Sequence, residues 1–210
     1  MKYNPDIHHR RSIRLREYDY GSSGAYFVTI CAFQRECLFG EVVDGVMQLN
    51  DCGSVVAKCW QAISAHFPHI RLDDFAVMPN HFHGVLHITG SVGAFVGAKQ
   101  GVSASPGFGD DDDDKGDGNK GEAGESFASP LRDGTVPGSL GAIIQNFKSI
   151  STRKINKLRD NPVAPVWQRN YYEHVIHNED DLANIRQYIA DNPLKWDLDE
   201  NNPTNAGIQP

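Results

Sequence analysis

The hydrophobic and polar positions of the chain change period several times, and each change marks an element. Ala25 to Phe33 is rich in aromatic and β-branched residues with no Gly or Pro, which predicts a first strand. Leu38 to Leu49 reads as a hairpin: Val42-Val43 and Val46-Met47 flank the turn pair Asp44-Gly45. After Asn50 or Asp51, either of which can cap a helix, Val55, Val56, Cys59, Trp60, Ile63 and Phe67 recur at helical spacing up to Pro68. Ile70 to Met78 and His81 to Ile88 are strand-like runs separated only by Pro79-Asn80, so they should pair antiparallel. Ser139 to Leu158 carries a second helical stripe through Leu140, Ile143, Ile144, Phe147, Ile150 and Ile155. A short strand is expected at Tyr172 to Ile176. A third helix then starts on Asn178, with Glu179, Asp180 and Asp181 in its first turn, and must stop near Asn192 because Pro193 follows.

With the hairpin set aside, the order is β-α-β-β-α-β. This predicts an α+β protein of ferredoxin-like split βαβ arrangement, with two long helices on one face of an antiparallel sheet. His81 and His83 would lie on the open face, Phe82 would pack under the helices, and the helix from Glu179 would lie nearby.

Composition divides the chain further. The net charge of −7 over 210 residues is unevenly placed. Between Ser91 and Pro137 nine acids face four bases, and the tail from Asp197 onward has three acids and no base, so the remainder is near +1. The stretch 90–138, rich in Gly, Ser and Ala and containing Asp110 to Asp114, cannot bury enough apolar surface to order itself and reads as a disordered acidic insertion. Residues 1–20 form a basic arm, 21–196 a single interrupted domain, and 197–210 a polar tail expected to be disordered. No apolar run approaches the length of a membrane span, and Met1 to Arg16 lacks the apolar core of a secretory signal, so a cytoplasmic protein is expected. The four cysteines contain no Cys-x-x-Cys pair and read as reduced thiols.

The candidate chemistry starts at Met78-Pro79-Asn80-His81-Phe82-His83. Two imidazoles on one sheet face can hold a divalent cation, although histidines also occupy sheet faces without that role. His87 shares their parity but lies further along the strand and reads as a neighbour. Tyr188 and Asn192 are one helical turn apart at the edge of the third helix's apolar stripe. Alone, Tyr188 reads more simply as an amphipathic aromatic at the core margin.

Taken with Trp167-Gln168-Arg169-Asn170-Tyr171-Tyr172-Glu173-His174 and Tyr188-Ile189-Ala190-Asp191-Asn192-Pro193, the His-Phe-His stretch resembles the IS200-like single-tyrosine transposases, and more narrowly their REP-associated branch. The resemblance covers most of Tyr20 to Trp196 outside the insertion. It implies a nuclease whose paired histidines sit on a central strand of a ferredoxin-like sheet. His81 and His83 match the metal-binding pair, Tyr188 the nucleophile and Asn192 a third, amide ligand, which suits Mg²⁺ or Mn²⁺. The implied reaction is metal-dependent cleavage and transfer of single-stranded DNA through a 5'-phosphotyrosine, on hairpin or repetitive palindromic sequences. Tyr171 and Tyr172 are rival nucleophiles. Trp167 and His174 either hold DNA or pack the sheet, with packing favoured for Trp167. Candidate DNA contacts, chosen by charge, are Arg10, Arg11, Arg14 and Arg16 in the arm and Lys148, Arg153 and Lys154 on the second helix. The family includes both homodimers and monomers. A hairpin-DNA binder without turnover is the alternative reading, and an unrelated metal hydrolase a more remote one.

Overall fold

The computed structural model describes residues 22–90 and 136–205. The basic arm, with Arg10, Arg11, Arg14 and Arg16, and all but the flanks of the insertion lie outside the described residues.

Eight elements lead to the insertion or follow it directly. These are β1 (Gly24–Cys31), β2 (Gly40–Val43), β3 (Val46–Leu49), α1 (Asp51–Gln61), α2 (Ile63–His66), β4 (Ile70–Val77), β5 (His81–Ile88) and α3 (Leu140–Leu158). They are followed by β6 (Tyr172–Ile176) and α4 (Glu179–Asp191). The main sheet runs β4-β5-β1-β6 with every neighbouring pair antiparallel, and β2-β3 form a separate hairpin. This is the strand order of a ferredoxin-like split βαβ unit.

Local chemistry sets the boundaries. Asn50, Ser139 and Asn178 cap α1, α3 and α4, each accepting a hydrogen bond from a first-turn amide. Asp44 and Gly45 both have positive φ (51° and 74°), the backbone that a tight two-residue hairpin turn needs. The first helical run does not reach Phe67 unbroken: it is interrupted at Ala62 between α1 and α2. β1 stops two residues before Phe33, because the Ala32 amide donates to the carbonyl of Asn80 and that of Phe33 to Val166, turning the chain out of the sheet.

Alternation along the central strands builds two layers. Tyr26, Val28 and Ile30 of β1 and Phe82 and Leu86 of β5 face α1 and α3, where Trp60, Ile143 and Phe147 complete a fully buried core. Phe82 lies 4.6 Å from the Trp60 ring and 5.3 Å from Phe147. A side chain on Gly84 would meet Trp60 at 2.6 Å and Phe82 at 2.8 Å, so glycine lets these rings cross the strand. On the other face, Phe27 and Val85 bury Leu182 and Ile189 of α4 in a second, smaller core.

Two expectations need correction here. The face bearing His81 and His83 is not open: α4 and the segment after it cover it, leaving the histidines 0% and 1% exposed. The tail is ordered through Asn205. Trp196–Leu198 and Pro203–Asn205 form single 3₁₀ turns, and Trp196, Asn201 and Asn202 are buried. The tail buries little apolar surface but pairs its polar groups. Asp199 accepts from the Asn201 amide and Asn202 donates to the Trp196 carbonyl. Among the described residues no helix is long and apolar enough to cross a membrane.

Candidate active site

The site is built outward from the turn before β5. The Asn80 side chain is fully buried, and its amide nitrogen donates to the carbonyls of Arg35 (3.0 Å) and Asn201 (2.7 Å). Its oxygen is thereby turned to His81, 2.9 Å from Nδ1. An oxygen acceptor there requires the His81 proton on Nδ1 and leaves a lone pair on Nε2. His83 is oriented in the same way from the neighbouring strand. Thr29 stands opposite it in the β1–β5 register, with Oγ1 2.9 Å from His83 Nδ1. Both imidazoles therefore have their Nδ1 sides engaged by side chains of the sheet and its turn, an arrangement that also orients histidine ligands in metal centres. The two rings lie 4.5 Å apart, and Phe27 stacks on His83 at 5.5 Å.

α4 brings the remaining groups. The Tyr188 hydroxyl lies 3.4 Å from His83 Nε2, with its ring 5.2 Å from the imidazole. One turn later Asn192 ends the helix, and its side chain acts on both His81 and Tyr188. Asn192 is 4% exposed, yet its Oδ1, like His81 Nε2, has no hydrogen-bond partner. Buried polar atoms left without partners are costly, so two of them converging beside a third available nitrogen mark a place for a ligand. Two imidazole nitrogens and an amide oxygen form a donor set that fits a divalent cation.

Burial sets the electrostatics. It pushes the His81 pKa down to about 4, against the opposing pull of Asp199 and Asn192. It also lowers His83 well below the ordinary imidazole range, with His81 adding to the effect. Both rings are neutral at pH 7, as ligands must be. Burial, then the Asp199 carboxylate, raises Tyr188 above the usual phenol value, so it carries its proton at neutral pH.

Similarity to other proteins bears on the fold. No protein-family model matches the chain. An uncharacterized protein of Haemophilus influenzae is 39% identical over 202 residues, spanning 95% of this chain and 96% of that one. Among solved structures, a REP-associated tyrosine transposase bound to a REP hairpin superposes with a TM-score of 0.50 at 16% identity, over 89% of this chain and 74% of that one. The chain belongs to one family with the Haemophilus protein, and its fold is similar to that of the REP-associated tyrosine transposase.

Within this transposase fold the other candidates are placed differently. Tyr172 is half exposed, with its ring 6.4 Å from Phe27, and Tyr171 lies beneath the Lys148 ammonium. Lys148 is not an outward cation: it donates to the carbonyls of Gln168, Arg169 and Asn170 and holds the loop before β6. Arg153 and Lys154 are exposed on α3, in the layer opposite the histidines. Trp167 packs on Phe39 and Phe147 and donates to Ser151 Oγ. His174 contacts the Asp181 carboxylate at 2.9 Å, linking β6 to the first turn of α4.

Three contributors were not singled out from sequence: Thr29, Asn80 and Asp199, whose carboxylate lies 3.8 Å from His81 Nε2. Thr29 had a usable signal. Its parity in β1 matches the histidines if β1 and β5 are neighbours. A fourth group, Asp73, sits in the irregular stretch of β4. It accepts from His87 at 2.9 Å and from Arg186 at 2.8 and 2.6 Å, fastening α4 to the sheet.

Proposed function

We propose that the protein is a transposase-type enzyme that cleaves and rejoins single-stranded, hairpin-forming DNA, with Tyr188 as nucleophile. The observation that carries this reading is the Tyr188 hydroxyl 3.4 Å from His83 Nε2, beside unpaired atoms of His81 and Asn192. The REP hairpin bound by the structural neighbour supports the choice of substrate class.

The side chains suit an attack by the phenol on a phosphodiester. Tyr188 Oη forms the new bond to phosphorus, the bond to the 3' oxygen breaks, and a 5'-phosphotyrosine and a free 3'-hydroxyl result. The phenol gives up its proton as the bond forms, since burial keeps Tyr188 protonated beforehand, and the departing 3' oxygen takes up a proton to become the hydroxyl, so the step is balanced overall. Mg²⁺ or Mn²⁺, held by His81 Nε2, His83 Nε2 and Asn192 Oδ1, would supply positive charge at the scissile phosphate. Thr29 and Asn80 fix the imidazoles, and Phe27 walls the site on the sheet side. Because the phosphotyrosine conserves the phosphodiester, a second 3'-hydroxyl can reverse the attack and join strands without a nucleotide cofactor.

The test is incubation with hairpin-forming single-stranded DNA and Mn²⁺. A denaturation-resistant protein–DNA adduct is expected, and Tyr188→Phe should abolish it. An adduct that persists in Tyr188→Phe refutes the assigned nucleophile. Hairpin binding without cleavage in any divalent metal refutes the enzyme reading.

A further inference from the structure

The segment after α4 is held over the histidines by bonds unrelated to apolar packing. The Asn201 carbonyl accepts from Asn80, the Glu200 carbonyl accepts from Arg35 Nη1 at 3.1 Å, and the Trp196 ring lies 6.0 Å from His81. Between these anchors Asp199 is oriented by its neighbour: Oδ1 accepts both from the Asn201 amide (2.6 Å) and from its side-chain nitrogen (2.9 Å). The other oxygen, Oδ2, is thereby directed at His81 Nε2 at 3.8 Å.

That contact is unfavourable as it stands. The His81 proton sits on Nδ1, facing Asn80, so a nitrogen lone pair confronts a carboxylate oxygen across a gap too long for a hydrogen bond. The Asn192 side chain, whose Oδ1 is also buried without a partner, acts on the same imidazole. Two acceptors, His81 Nε2 and Asp199 Oδ2, therefore face each other with no proton between them. A cation resolves this, and the 3.8 Å gap is shorter than two coordination bonds of about 2.1 Å laid end to end. A carboxylate also adds the negative charge that a set of two imidazoles and an amide lacks.

We propose that Asp199 is a ligand of the divalent cation, a carboxylate delivered from beyond the tyrosine helix to the site formed by His81, His83 and Asn192. The proposal rests on the cation reading of that site given above. The cation coordinates Oδ2, while Oδ1 keeps its bonds to Asn201.

The test is Mn²⁺ titration of the full chain without DNA, followed by electron paramagnetic resonance. Four proteins are compared: wild type, Asp199→Asn, His81→Ala, and Asp197→Asn as a control carboxylate two residues away. Asp199→Asn should weaken Mn²⁺ binding about ten-fold or more, with Asp197→Asn unchanged. Asp199→Asn is nearly isosteric and keeps an oxygen for Asn201. It also replaces the carboxylate that faces the His81 Nε2 lone pair with a neutral amide, so its metal-free melting temperature should rise while its metal affinity falls. A residue that only held the tail in place would not produce that opposed pair of changes. If Asp199→Asn binds Mn²⁺ as tightly as wild type while His81→Ala does not, Asp199 is not a ligand and the histidine site stands. If His81→Ala binds as wild type does, the cation reading of the site falls and the proposal falls with it.

Discussion

Replacing Thr29 with Val tests whether the second strand orients the histidines. Val keeps the β-branched shape and removes only the hydroxyl. In the wild type, Oγ1 lies 2.9 Å from Nδ1 of His83, which is 1% exposed. The variant leaves the buried Nδ1 of His83 without its partner, at a cost of about 1–3 kcal/mol. Its alternative is to shift the proton to Nε2, which removes the lone pair facing Tyr188 and the cation site. In the first case the melting temperature falls by about 2–4 °C for each kcal/mol. In the second, cation affinity falls by about 10- to 100-fold, as for other lost second-shell partners. Thermal melts and Mn²⁺ titrations of Thr29→Val and Thr29→Ser separate the outcomes. Ser restores the hydroxyl and should recover most of both losses. A Val variant with wild-type melting temperature and wild-type Mn²⁺ affinity would refute the assigned role of Thr29.

Asp73→Asn should lower the melting temperature at pH 7 by loosening α4, and the gap to wild type should begin to narrow in acid. The Arg186 bond, with His87 and the Asp74 amide, holds the Asp73 carboxyl well below its usual range. Its contribution is therefore complete above about pH 4 and lost progressively as pH falls towards the lowered value, so melts from pH 7 to pH 3 should show the gap constant at first and starting to narrow only at the acid end. Lys148→Met should destabilise the fold through loss of three carbonyl contacts while leaving the salt dependence of hairpin binding unchanged. A reduced salt slope would restore Lys148 as a phosphate contact. Phe82→Ala should cost about 3–5 kcal/mol in chemical denaturation, because the ring is fully buried among Trp60, Phe75 and Phe147.

Elements governed by local signals were legible in the sequence. β5 and β6 begin and end where alternation and turn residues place them, and α4 starts on its predicted cap. The spacing of Tyr188 and Asn192 by one turn carries directly into their shared approach to the histidines. What was not legible depends on partners distant in sequence. Charge alone marked Lys148 as a DNA contact and could not show that its ammonium also donates to three carbonyls some twenty residues later. Composition marked the segment after Trp196 as unstructured, because its order comes from Asn and Asp side chains bonding backbone groups rather than from apolar burial. Asp199 belongs to that segment, so its place beside His81 went unseen. The histidines were expected on an open face because a four-strand sheet with two helices leaves one face bare. α4 and the tail together close it.

The central claim is that Tyr188, and no other of the seven tyrosines, becomes bonded to DNA. Digestion of the adduct with trypsin and mass spectrometry reads this directly. The rivals Tyr171 and Tyr172 fall in the peptide Asn170 to Arg186, and Tyr188 falls alone in Gln187 to Lys195. The nucleotide mass should appear on the peptide from Gln187 to Lys195. Its appearance on the peptide from Asn170 to Arg186 would rule out Tyr188 as the nucleophile.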